Sequence, residues 1–148
     1  MKKEHKSLNE ILVKLFNEIL KNEEKYLCRG EFSDLSITEM HIIENIGIDK
    51  ERTMSSTAKD LRITSGTLTT AIDNLIKKGY VIRRRSDKDR RVVMIKLTDK
   101  GIRAYEAHDE FHKDMVVSTL QDLDEKEEIV LIKALINVAK YFRKKYDS

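Results

Sequence analysis

Between Thr53 and Leu97 the chain changes its hydrophobic period in an order that few folds admit. Thr53 is placed to cap a short helix over Met54–Leu61. Arg62-Ile63-Thr64 leaves room only for a tight turn, and Thr64 is placed to cap a second helix from about Ser65 to Lys78. In that second helix Leu68, Ala71, Ile72, Leu75 and Ile76 recur at the 3.6-residue period. Gly79 stands where a left-handed glycine ends a helix. The outward positions are Ser65, Thr67, Thr69, Thr70, Asp73 and Asn74. The period then falls to two. Tyr80–Arg85 and Val92–Leu97 read as the strands of a hairpin, with Val93, Ile95 and Leu97 on one face and a charged tip from Ser86 to Arg90.

Helices flank this centre. Leu8, Ile11, Leu12, Leu15, Phe16, Ile19 and Leu20 predict a helix from about Ser7 to Leu27, with Ser7 and Glu10 spaced as a capping box. Ser36 and Glu39 repeat that box at the head of a shorter helix, which turns Ile37, Met40, Ile43 and Ile46 inward and stops near Gly47. A polar loop, Asp49–Arg52, leads to Thr53. Thr98 opens a long helix to about Leu120, and Asp124 with Glu127 opens the last, to about Tyr146. The chain contains no proline, so nothing interrupts helices of this length. The expected fold is mainly α with a small β-hairpin wing: a winged helix-turn-helix flanked by dimerisation helices. The 148 residues form one domain, with the winged lobe over 36–97 and the helical dimerisation region over 1–35 and 98–148. The last helix is apolar on more than one face (Ile129, Val130, Leu131, Ile132, Leu135, Ile136, Val138, Ala139, Phe142), and a second copy of the chain is the simplest cover.

Charge separates the chain into two surfaces. The net charge is only +3, from 29 Lys+Arg against 26 Asp+Glu. Yet 11 of the basic residues and only 3 acids fall between Lys77 and Arg103, whereas 9 acids and 3 lysines fall between Ala104 and Ile136. The basic block covers the hairpin and predicts a polyanionic partner. The lone Cys28 excludes an internal disulfide and fits a reducing compartment. MKKEHKSLNE carries no apolar secretory segment, and no apolar run is long enough to span a bilayer. The expectation is therefore a cytoplasmic protein with no membrane partner.

A helix with a polar outer face fits the major groove of duplex DNA, where every base pair displays a distinct donor and acceptor pattern. Ser65, Thr67, Thr69, Thr70 and Asn74 would face the bases. Arg85 and the tip residues Arg90 and Arg91 would reach the backbone or a narrow minor groove, where the potential is most negative, with Asp89 orienting Arg91 through a charge-assisted bond. The outer face from Ser65 to Asn74 holds no Arg, Lys or Gln, so the usual bidentate reading of guanine is missing. Hydroxyls and threonine methyls favour an A·T-rich operator read partly through shape.

The order of elements, together with Asp89-Arg90-Arg91 followed by Leu97-Thr98 and Gly101, resembles the MarR family of bacterial transcription regulators. Further segments resemble the fatty-acid-synthesis repressors of that family: Glu39-Met40-His41, Gly66-Thr67-Leu68-Thr69-Thr70, Lys78-Gly79-Tyr80, Asp89-Arg90-Arg91-Val92-Val93 and Phe111-His112-Lys113. The resemblance implies a homodimer straddling a palindromic operator, with repressor activity tuned by a long-chain acyl group on acyl carrier protein. It also implies an apolar effector pocket among Leu15, Ile19, Met40, His41, Ile43, His108, His112 and Met115, and no cofactor.

The histidines admit other readings. His108 and His112 are one helical turn apart and share a face. With His41 and Glu24 they resemble the ligands of zinc-sensing members of the family, and a tetrahedral zinc site is an alternative to the acyl pocket. Hydrogen-bonded structural histidines are the third possibility. Cys28 is either a redox sensor or a bystander thiol. No Gly-rich phosphate loop, Gly-x-Ser-x-Gly elbow or Cys-x-x-Cys pair is present, so an enzyme is not expected.

Overall fold

The structure, a computed structural model, describes residues 1–146. The chain divides into two compact units, Met1–Phe111 and His112–Ser148. In the first, helix α1 (Lys3–Leu27) is followed by a short 3₁₀ turn, Gly30–Phe32, and helix α2 (Ile37–Ile46). Strand β1 (Arg52–Thr53) runs straight into α3 (Met54–Leu61), and α4 (Ser65–Lys77) follows. Strands β2 (Val81–Arg85) and β3 (Val93–Leu97) form the hairpin, and α5 (Asp99–Leu120) begins in this unit and runs on into the second.

The predicted caps are almost all present. Ser36 accepts from the Glu39 backbone N–H, and the Glu39 side chain accepts in turn from the Ser36 N–H, completing the box. Thr53 accepts from Ser56 N–H and Thr64 from Thr67 N–H. Arg62 takes a left-handed conformation (φ 56°), which closes the α3–α4 turn without a glycine. At the end of α4, Gly79 (φ 87°) lets Tyr80 N–H return to the Leu75 carbonyl and its own N–H to the Ile76 carbonyl. The exception is the first helix. It begins at Lys3 rather than Ser7, and Lys2 at its N-cap supplies no side-chain bond. Ser7 lies inside the helix, where its hydroxyl donates to the Lys3 carbonyl. No breaker precedes Ser7, so propagation by one turn outweighs the cap.

The sheet has three strands in the order β1-β3-β2, all antiparallel. The sequence predicts Arg52 as the end of a loop and Thr53 as a helix cap, yet the two form β1. Two residues carry no detectable period, and only pairing with β3 (Arg52 with Ile95, Thr53 with Met94) makes them a strand. The core joins α2, α4 and the hairpin base: Met40, Ile43, Leu68, Ile72, Leu75, Tyr80 and Ile95 are all fully buried. The α5 N-terminus locks onto this base. Thr98 Oγ1 donates to the Gly79 carbonyl (2.6 Å) and accepts from Gly101 N–H (3.1 Å). Gly101 is buried so closely against the Tyr80 carbonyl that any Cβ would overlap it.

The apolar stripe of α1 is a different matter. Leu8, Ile11, Leu15, Phe16 and Leu20 are all exposed, and only Glu23 and Leu27 of this helix are buried. In the second unit, α6 (Glu125–Tyr146) opens with a reciprocal Asp124–Glu127 box, both bonds 2.9 Å. It buries no residue, and Ile129, Val130, Ile132, Leu135, Ile136 and Phe142 are exposed. Among the described residues no helix is long and apolar enough to cross a membrane.

Candidate nucleic-acid interface

Helix α4 presents Ser65, Thr67, Thr69, Thr70 and Asn74 on its exposed face, as the spacing predicts. Their hydroxyls are not idle. Thr69 Oγ1 donates to the Ser65 carbonyl (2.8 Å) and Thr70 Oγ1 to the Gly66 carbonyl (3.1 Å). Thr67 Oγ1 accepts from the Thr64 hydroxyl at 2.8 Å. With their protons bonded back to the helix, Thr69 and Thr70 offer outward a lone pair and a methyl group. Those groups suit an adenine amino group and a thymine methyl.

The wing tip is built by its own side chains. The Asp89 carboxylate accepts from the Arg91 backbone N–H (3.0 Å) and from Nε and Nη2 of the same arginine (3.1 Å each). The Arg91 hydrogen bonds hold the Asp89 carboxyl below the usual carboxylate range. Arg91 is nevertheless 90% exposed, an arginine aimed outward from a fixed base. Arg85 donates through Nη1 to the Arg90 carbonyl (2.8 Å), so it braces the tip rather than standing free. Arg90 is exposed.

Two contacts here were not foreseen from the sequence. Arg83 Nη1 reaches Asp73 of α4 at 2.7 Å, and Arg84 forms a two-bond pair with Glu51 (2.7 and 2.6 Å). Arg84 lies on β2 and Glu51 in the loop just before β1, 33 residues apart, and nothing in the local pattern joins them.

The expected effector residues scatter. Met40 and Ile43 are fully buried in the core, Leu15 is exposed and Ile19 is half-buried. His112 and Met115 belong to the second unit. Glu23, not Glu24, is the carboxylate that bonds His41 and His108, and Glu44 Oε2 also lies 3.6 Å from His108 Nε2. Glu23 Oε1 accepts from Nε2 of His41 (3.1 Å) and Nε2 of His108 (2.8 Å), joining α1, α2 and α5. Adjacent helical residues point about 100° apart, so Glu24, which the resemblance to zinc-sensing regulators implies as a ligand, lies exposed on another face of α1. Burial opposes ionisation of Glu23, but the bonds from His108 and His41 outweigh it and leave its pKa below the ordinary 4.5. Cys28 is half-buried. Burial, then Glu24, Glu39 and Glu23, push its thiol up, opposite to what a reactive thiolate requires.

A tight helix-turn-helix, a core-anchored hairpin beside it and an exposed basic tip define a winged-helix transcriptional regulator. The model of the transcriptional regulator SarA/Rot family matches residues 30–108, more than half of the chain, and the protein belongs to that family. Streptococcus pneumoniae FabT, solved in complex with DNA, is 41% identical with a TM-score of 0.86, over 95% of this chain and 98% of that one. The regulator BilQ of Clostridium symbiosum is 27% identical over 125 residues, 81% of this chain and 87% of BilQ. SarZ of Staphylococcus saprophyticus is 38% identical over 84 residues. That match spans 57% of this chain and about half (56%) of SarZ. BilQ and SarZ are HTH-type transcriptional regulators, and the FabT structure holds DNA.

Proposed function

We propose that this protein is a homodimeric repressor of fatty-acid-synthesis genes. It binds a palindromic, A·T-rich operator, and long-chain acyl groups presented on acyl carrier protein raise its DNA affinity. The observation that carries this reading is the 41% identity, spread over 95% of the chain, to FabT of S. pneumoniae bound to DNA. The residues support the DNA contact: Ser65, Thr67, Thr69, Thr70 and Asn74 for the bases, and Arg90 and Arg91, with Asp89 and Arg85 as braces, for the backbone and minor groove. Two such lobes in one dimer read half-sites about one helical turn apart. An effector changes affinity only by favouring the dimer whose lobes match that spacing.

One observation favours a second reading, zinc sensing. Glu23, His41 and His108 bring three ligand atoms within 4.8 Å of one another. That donor set suits zinc, whose ligand bonds are about 2.0–2.2 Å, although the three groups already satisfy one another by hydrogen bonds. A gel-shift on a fatty-acid-synthesis promoter decides, with acyl carrier protein, its long-chain acyl form and zinc added in turn. Tighter binding with acyl carrier protein only when it is acylated is the expected result. Tightening by stoichiometric zinc, lost in His108→Ala, would overturn the acyl reading.

A further inference from the structure

Among the described residues, Arg84 is the wing cation bonded to an acid across the sheet. The register explains how. Arg84 on β2 pairs with Met94 on β3, and Met94 pairs with Thr53 on β1, so the three form one row across the sheet. Glu51 stands just before β1, two residues ahead of Thr53, and its carboxylate reaches the end of that row. The guanidinium therefore passes over the central strand and meets the carboxylate fork to fork, Nε on Oε1 at 2.7 Å and Nη2 on Oε2 at 2.6 Å. Its neighbour Arg83 bonds Asp73 on α4 at 2.7 Å. Consecutive strand residues point to opposite faces, so two adjacent arginines tie the two faces of the wing to the helix-turn-helix.

β1 is only two residues long and continues into α3, whose cap is Thr53. A strand so short has few ladder bonds to set its angle, and the side-chain pair adds to them at the edge.

We propose that Glu51 is a positioning residue for DNA recognition: by holding Arg84 across the sheet it sets the wing against the helix-turn-helix, and Arg84 serves this clamp instead of neutralising a phosphate. This rests on the DNA-binding reading above. The opposing view makes Arg84 a phosphate contact and Glu51 its competitor. The two views differ in sign. An acid beside a polyanion site lowers affinity, so removing a competitor would tighten binding and steepen its salt dependence. Removing a positioning residue weakens binding and leaves the salt dependence alone.

The test uses the full chain and the duplex that the wild-type protein selects from a random library, with affinity measured across a series of KCl concentrations. Glu51→Gln, Glu51→Asp and Arg84→Gln are expected to lose roughly tenfold in affinity, the scale of one good contact. The slope of log K against log salt should not change, whereas a lost phosphate contact lowers it by about 0.9. Glu51→Asp keeps the charge but falls short of Arg84, so its loss separates reach from charge. The double swap Glu51→Arg with Arg84→Glu is expected to recover affinity to within about twofold, with thermal unfolding confirming that every variant is folded. Wild-type or tighter binding by Glu51→Gln, a reduced slope in Arg84→Gln, or no recovery in the swap would each overturn the proposal. If the wild-type chain selects no duplex, the DNA-binding reading itself fails and takes this one with it. Selection by the wild type with an indifferent Glu51→Gln refutes the clamp alone.

Discussion

Arg91 shows how a single exposed side chain acquires a fixed direction. An arginine 90% exposed would ordinarily sample many rotamers, and ordering it on binding costs entropy. Asp89 removes much of that cost in advance with two hydrogen bonds to the guanidinium. We therefore expect Arg91→Ala to weaken operator binding by about 1–3 kcal/mol, the range for a good groove contact. Fluorescence anisotropy at physiological salt measures it, and wild-type affinity would remove Arg91 from the interface. Glu23 gives a prediction about pH. Its folded pKa lies below the unfolded value of 4.5, so it contributes stability that is present above that pH and is lost as pH falls through the folded pKa. Glu23→Gln should be less stable than wild type at pH 7, by about 1–3 kcal/mol for a buried charged hydrogen-bond partner, and the gap should close towards pH 3. Urea unfolding at several pH values would show it. A gap that stays constant with pH would mean that Glu23 does not carry the effect.

Among the elements, the junction of β3 and α5 is the most tightly determined. Thr98 spans two elements with one hydroxyl, and Gly101 leaves α5 free to approach the carbonyl of Tyr80. Gly101→Ala places a methyl group into that carbonyl, which is backbone and cannot swing aside. The expected loss is about 1–3 kcal/mol, as for an overpacked core. A thermal midpoint equal to wild type would show that the junction yields without strain. The same region shows how far local pattern carries. The Leu97-Thr98-x-x-Gly101 spacing and the caps at Ser36, Thr53, Thr64 and Asp124 were legible because each depends on residues within a few positions of one another. The Ser7 cap was not, since a capping-box spacing also occurs by chance inside a helix.

At the scale of the whole molecule, the exposed apolar residues of α1 and α6 need an explanation. Leu8, Ile11, Phe16 and Leu20 on one helix, and Ile129, Val130, Leu135 and Phe142 on the other, are each about half exposed or more in the single chain. Apolar stripes left this exposed along a helix are rare on monomers and mark an interface. The proposed homodimer should sediment at micromolar concentration as about twice the 17.3 kDa chain mass. A monomer that still binds one palindrome tightly would contradict it.

By itself the sequence determined the helices, every expected cap but that at Ser7, the tight turn, the hairpin and the polar face of α4. Period, capping and turn chemistry act over a few residues, and they agreed with one another along nearly the whole chain. It also determined where positive charge gathers, because charge adds along the chain whatever the fold. Only the tertiary structure decided which side chains meet. It made β1 a strand, chose Glu23 over Glu24 for the histidines, paired Arg83 with Asp73 and Arg84 with Glu51, and buried Met40 and Ile43 in the core. Each of these depends on the approach of elements distant in the chain. A shift of one residue turns a helical side chain by about 100° and sends a strand side chain to the opposite face, so local pattern names the element and packing selects the residue.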